Sequence, residues 1–238
     1  MVFGFEQLEG RTLLSASIFR KGTTLWIVST DDVGDYIDLV GLGNGSVEVS
    51  VNEGASQVET GVKSIVIQGA GGNDDVTASN LNLSGKFQFL GNAGEDTLEF
   101  VGSIRANSVQ FLGGEGADTF QCEQVDVFAK MKLQLGGGDD LVLSSGNTFH
   151  SRLVIDTGSG FDEVAHDGFR GGNTYLAAVK IKLGADDDIY QESNATFRKG
   201  LAVDGGSGYD TFDDFGETNT FSKNVKTKQI EELNLTTP

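Results

Sequence analysis

The sequence predicts an all-β, single-domain parallel β-helix, a solenoid with 22-residue coils behind a β N-terminal cap. Three observations predict it. Aspartates recur at Asp74, Asp96, Asp118, Asp140, Asp162, Asp188 and Asp210, with steps of 22, 22, 22, 22, 26 and 22 residues. Nine and seven positions before each stands an apolar pair, from Ile65/Ile67 and Phe87/Phe89 to Leu201/Val203, and two positions after each comes an apolar residue such as Leu98, Phe120 or Phe212. Apolar residues spaced by two mark strands with one face turned inward. Two positions before each aspartate lies a glycine (Gly72, Gly94, Gly116, Gly138, Gly160, Gly208), with Asp186 the exception. Such a column marks a corner whose backbone needs positive φ.

In chain order, residues 1–17 stand outside the repeat. Residues 18–63 carry looser strand signals at Thr24-Leu25-Trp26-Ile27-Val28, Asp35 to Val40 and Ser46 to Val51, with Gly43-Asn44-Gly45 as a hairpin turn. They are expected to cap the first coil, whose edge would otherwise stay unpaired. Residues 64–224 hold the regular coils: a strand, the Gly-Asp corner, a short strand, a second turn and a weaker strand such as Leu81/Leu83 or Val125/Val127. Four extra residues fall between Ala165 and Asn173, where an insertion bulges as a loop. Residues 225–238 lack the Gly-Asp corner, and Ile230, Leu233 and Leu235 are expected to close the last coil.

Composition narrows the function classes. Glycine is 34 of 238 residues, about double the usual ~7 %, and the single proline is Pro238, which suits uninterrupted ladders. The formal net charge of −18 disfavours nucleic acid or an anionic membrane as partner and suits divalent cations. One cysteine, Cys122, permits no intrachain disulfide. No apolar run approaches the ~20 residues that span a bilayer.

Coils stacked ~4.8 Å apart would align the aspartates into a column of like charges. Calcium would relieve the repulsion, taking carboxylate oxygens from two coils and carbonyls from the glycine turn. Alternatively, each aspartate caps its own turn and the column stays solvated. Both readings stand at this point. Further acids crowd the corner: Asp75, Glu95, Glu115, Asp139, Glu163, Asp186 and Asp187. A second column, Lys86, Ser108, Lys130 and Arg152, reads as a solvated basic edge or as a groove for an acidic polysaccharide. The sets that could serve catalysis on a solenoid face are His150 with Arg152, and His166, Asp167 and Arg170 on the inserted loop. Motifs for Ser-His-Asp, HExxH, phosphate-loop or CxxC chemistry are missing, so the reading leans away from an enzyme.

Residues 113–120 (Gly-Gly-Glu-Gly-Ala-Asp-Thr-Phe) and 205–212 (Gly-Gly-Ser-Gly-Tyr-Asp-Thr-Phe) resemble the first eight positions of the hemolysin-type (RTX) calcium repeat, and residues 91–98 depart from it only at Asn92. That family repeats every 9 residues and this chain every 22, so the resemblance covers the corners alone. It implies Ca²⁺ at Asp74, Asp96, Asp118, Asp140, Asp162, Asp188 and Asp210. Leu8, Glu9, Arg11, Leu13 and Leu14 resemble the LEPR-XLL N-terminal segment of large secreted or surface proteins of planctomycete bacteria, with Gly10 in place of its proline. This implies export. Together the readings describe a secreted or cell-surface structural or interaction solenoid, whose partners would be surface polysaccharides or other surface proteins. The alternative is a carbohydrate-active β-helix enzyme or a polysaccharide-binding module.

Overall fold

The computed structural model describes residues 16–166, 171–214 and 219–235, and the N-terminal segment that resembles an export signal lies outside them. Among the described residues every regular element is a strand. Three sheets run along the molecule, with ten, eleven and six strands. From the Asp96 coil to the Asp210 coil, each contributes one strand to each sheet in turn. In the Asp118 coil these are Ser108–Glu115, Thr119–Glu123 and Asp126–Val127. Pairing between coils is parallel and in register: Val109 and Phe111 lie against Phe87 and Phe89 on one side and Met131 and Leu133 on the other. The chain is therefore a parallel β-solenoid of about seven turns with coils of about 22 residues.

Alternation decides which side chains enter the core. The pair before each corner and the residue two after it are buried throughout, including Phe87, Phe89, Phe111, Phe120 and Phe212, each 0–1 % exposed. Register then stacks like on like. Phe89 lies on Phe111 with ring centroids 5.1 Å apart and planes at 6°. Phe149, Tyr175, Phe197 and Phe221 continue such a stack along the third sheet. Each ring buries apolar area worth ~1.5–3 kcal/mol, and near-parallel offset rings add to that.

The ends differ from the middle. Ala16–Lys21 runs antiparallel to Thr24–Ser29, which already pairs in parallel with Ser64–Gln68. Tyr36–Gly43 likewise pairs in parallel with Asp75–Ser79 and in antiparallel fashion with Ser46–Val51. The N-terminal region thus caps the stack by supplying strands to two of its sheets, and the expected turn at Gly43-Asn44-Gly45 is present with positive φ at all three residues. At the other end Ile230 and Leu235 pack against the core, but Leu233 is 49 % exposed and closes nothing. The four extra residues fall between His166 and Asn173, since Thr174–Tyr175 resumes the register with Thr148–Phe149.

Candidate functional site

The corner after each long strand builds the site. At Gly94, Gly116, Gly138 and Gly160 the backbone has φ of +119° to +124°. A Cβ on Gly116 would lie 2.1 Å from the carbonyl oxygen of Gly94 one coil earlier, so a side chain is excluded by conformation and by contact. The corner rotates the chain from one sheet to the next. The amide of the following aspartate is thereby carried away from the strand ladder, and a buried N–H needs an acceptor.

The aspartate of the next coil supplies it. Oδ1 of Asp118 accepts from the N–H of Asp96 at 2.9 Å, Asp140 from Asp118 at 2.7 Å, Asp162 from Asp140 at 2.9 Å, and Asp188 from Asp162 at 2.8 Å. The series continues from Asp74 to Asp35 and from Asp96 to Asp74 at one end, and from Asp210 to Asp188 at the other. Glu231 ends it by accepting from Asp210 at 2.9 Å. At the first rung Asp35 is held by Ser29 and Asn52. Asp35 and Glu231 belong to the ladder but sit 39 and 21 residues from their neighbours, off the 22-residue period.

All seven repeat aspartates come together in one column, as the spacing requires, but they face the interior. Six are 0 % exposed and Asp140 is 2 % exposed. Each caps the neighbouring coil's amide and not its own turn. The exposed negative edge is instead formed by the outer acids Asp75, Glu95, Glu115, Asp139, Asp186 and Asp187, with Glu163 half-buried. Asp139 and Asp187 also accept from the next coil's amides, at Phe161 and Tyr209.

Burial decides the electrostatics. Desolvation raises Asp74, Asp118 and Asp188 from 3.8 to about 7, Asp96 and Asp162 to about 6, and Asp140 to about 8, against the lowering effect of the amide each accepts. Asp210 is raised for the same reason. The second oxygen of each carboxyl, Oδ2, is buried with no hydrogen-bond partner, although at Asp162 the nearby Thr157 hydroxyl, which donates to the Leu183 carbonyl, also favours the charged form. In four coils it faces a glycine five residues earlier: a Cβ on Gly69, Gly91, Gly113 or Gly205 would lie 2.0–2.4 Å from Oδ2 of Asp74, Asp96, Asp118 or Asp210. The next coil's carbonyl, of Gly91, Gly113, Leu135 or Gln229, points at the same place. In the other three coils Leu135, Thr157 and Leu183 replace that glycine.

Calcium takes oxygen ligands, six to eight of them. The donor type fits: one free carboxylate oxygen and one carbonyl oxygen meet beside each of those four glycines. The closed packing fits less well, because Oδ1 is engaged and no three acidic, histidine or cysteine side chains converge among the described residues. The coils best suited to a cation are those of Asp74, Asp96, Asp118 and Asp210. Those of Asp140, Asp162 and Asp188 present leucine or threonine at the same place.

A second interior column lies four residues after each aspartate: Ala78, Phe100, Cys122, Ser144, His166, Glu192 and Asp214, all buried. It turns from apolar to polar toward the C-terminal coils. His166 does not ride on a surface loop; it is 2 % exposed, inside the solenoid. Its Nδ1 faces the Ser144 hydroxyl, the Asn173 amide 3.3 Å away and the Tyr175 hydroxyl 3.2 Å away. The other ring nitrogen, Nε2, is buried with no hydrogen-bond partner. Burial lowers the ring to about 3, keeping it neutral. Glu192 accepts from Tyr175 at 3.0 Å and Tyr190 at 2.8 Å, and burial raises it to about 8. The Ser144–His166 pair has the partners of a nucleophile and its base, yet both are sealed in the core. Asp167 and Arg170 lie outside the described residues. His150 stacks on Phe128 with centroids 3.9 Å apart, beside Asp126 at 3.3 Å, while Arg105 covers the other ring at 3.5 Å. Cys122 is fully buried, and desolvation pushes its thiol up.

At the third-sheet corner, asparagines do the work of the aspartates. Asn147 Oδ1 accepts from Val125 at 2.8 Å, and its amide donates to the Cys122 carbonyl at 2.9 Å. Asn173 and Asn219 serve Asn147 and Ala195 in the same way. Comparison with family models, with curated proteins and with solved structures gives no match at a significant level.

Proposed function

We propose that the chain is a structural or interaction solenoid of a secreted or cell-surface protein, a rigid acidic spacer whose aspartate corners take calcium. The observation that carries this reading is the column of seven buried carboxyls, each with one oxygen lacking a partner. At neutral pH an ionised, desolvated column is costly, and only a proton or a cation can offset it. Calcium would supply fixed positive charge to Oδ2 of Asp74, Asp96, Asp118 and Asp210 and to the carbonyls beside them. The Gly-x-Asp octets support the choice of ion, and the N-terminal segment supports the location. The sealed Ser144–His166 pair gives no support to an enzyme.

Thermal melting at pH 7.5 with millimolar calcium and with chelator tests the reading. A higher midpoint with calcium is expected, because an ion that binds only the folded state stabilises it. The same midpoint in both buffers would overturn calcium binding. A magnesium arm separates a specific site from general screening of the acidic surface.

A further inference from the structure

The outer face of the ten-stranded sheet carries a chain of three depressions that the acidic column does not touch. The largest, about 650 Å³, is floored by Ala178, Gly200 and Ala202 and rimmed by Arg152, Lys180, Lys223 and Lys226. A second shares Arg152 with it and holds Lys130 and Lys132. The third shares Lys180 and Lys226 with the first. Together they form one trough crossing six successive strands, from Ser108–Glu115 to Lys226–Lys228. At ~4.8 Å per strand it runs roughly 24 Å along the solenoid axis.

Its charge is opposite to that of the molecule. On a chain of net charge −18, the charged residues along the trough are cations, Asp204 excepted. The acids on this face are already engaged: Asp156 pairs with Lys182 at 3.0 Å and Asp204 with Lys228 at 3.2 Å. Lys130, Arg152, Lys180, Lys223 and Lys226 have no carboxylate within ion-pair distance among the described residues. Small residues open the floor where the long side chains of the Lys86, Lys130 and Arg152 column give way to Ala178 and Gly200. A Cβ on Gly200 would meet nothing within 4 Å.

We propose that this trough binds a linear carboxylated polysaccharide lying along the solenoid axis, its carboxylates on Arg152, Lys180 and Lys226 and its hydroxyls on the polar side chains between them. Gln110 and Asn224 are such side chains. The extended, open shape suits a polymer better than a single small anion. Among the described residues no aromatic ring lines any of the three depressions, so they offer none of the stacking platforms that hold single-stranded nucleic acid. The inference names a partner for the interaction module proposed above, and its test is independent of calcium.

The test is titration of the full chain with oligogalacturonides in chelator-containing low-salt buffer, with circular dichroism confirming the fold. Binding that weakens with added salt is expected, together with at least tenfold loss in the Arg152→Ala/Lys180→Ala/Lys226→Ala variant. Gly200→Glu, which places a carboxylate in open space on the floor, should abolish binding without changing the melting midpoint. Lys21→Ala/Lys63→Ala, at the N-terminal end, should bind as the parent does. Lack of binding by the folded parent, or binding indifferent to the triple variant and to Gly200→Glu, overturns the proposal. An oligonucleotide that binds as tightly at equal salt overturns it in favour of nucleic acid. Inorganic sulfate competing at the concentration of the oligomer overturns it in favour of a single-anion site. Failure here leaves the calcium melting result untouched, and the converse holds.

Discussion

Replacing Asp118 by asparagine and by alanine separates the two roles of the buried column. Asp118 Oδ1 is the acceptor of the Asp96 amide at 2.9 Å. Alanine leaves that buried N–H unserved, at a cost of ~1–3 kcal/mol at any pH. Asparagine keeps the acceptor, removes the ionisable proton and turns an NH₂ toward the place where Oδ2 meets the Leu135 carbonyl. The sign follows from linkage. Asp118 is raised from 3.8 to about 7 in the folded chain, so the folded state holds its proton more tightly than the unfolded state. The resulting stabilisation is complete below about pH 4 and is lost as pH rises through about 7. The full linkage of ~4 kcal/mol is shared along the coupled column, which leaves ~1–2 kcal/mol at one position. In chelator, Asp118→Asn should therefore match the parent within ~0.5 kcal/mol at pH 5 and exceed it by ~1–2 kcal/mol at pH 8. Urea unfolding followed by circular dichroism reads both values. A parent chain more stable at pH 8 than at pH 5, or an asparagine variant as damaged as the alanine one, would refute the reasoning.

Three further outcomes are expected. Gly116→Ala must accommodate a Cβ 2.1 Å from the Gly94 oxygen at a φ of +124°; a loss above ~2 kcal/mol in urea is expected. Phe111→Ala opens a cavity beneath Phe89 and should cost ~3–5 kcal/mol, read by the same assay. Cys122, sealed and with its thiol pushed up, should resist a thiol reagent in the native chain and react once urea unfolds it.

The coil period and the core were legible because they repeat: seven apolar pairs at fixed offsets leave little freedom in register. The inward direction of the aspartates was equally written. Asp118 shares the parity of Phe120 and Cys122, and alternation along a strand puts all three on one face. Reading the charge as a surface feature concealed this. The same parity places His166 inside, where its position beside an insertion suggested a loop. Asp35 and Glu231 escaped notice because caps and end coils break the period, although Asp35-Tyr36-Ile37 repeats the spacing of Asp118-Thr119-Phe120. The asparagine corner was hidden by its irregularity, since Val125 and Ala195 alternate with Asn147, Asn173 and Asn219 in that column. The trough follows from Ala178 and Gly200 ending a basic column, a contrast that is meaningful only once the sheet is assembled.

The aspartate ladder also has a direction. Every carboxyl reaches back toward the N-terminus, so each layer is sealed by the one laid after it, as a roof course is held down by the next row of tiles. During synthesis a newly emerged layer keeps a dangling amide until its successor arrives, and Glu231 sets the last tile. Peeling from the C-terminal end bares one peptide N–H per layer, whereas peeling from the N-terminal end strands a carboxyl that water solvates readily. The two ends of the stack are therefore unequal, and loss of the final short segment should loosen the structure more than its few contacts suggest.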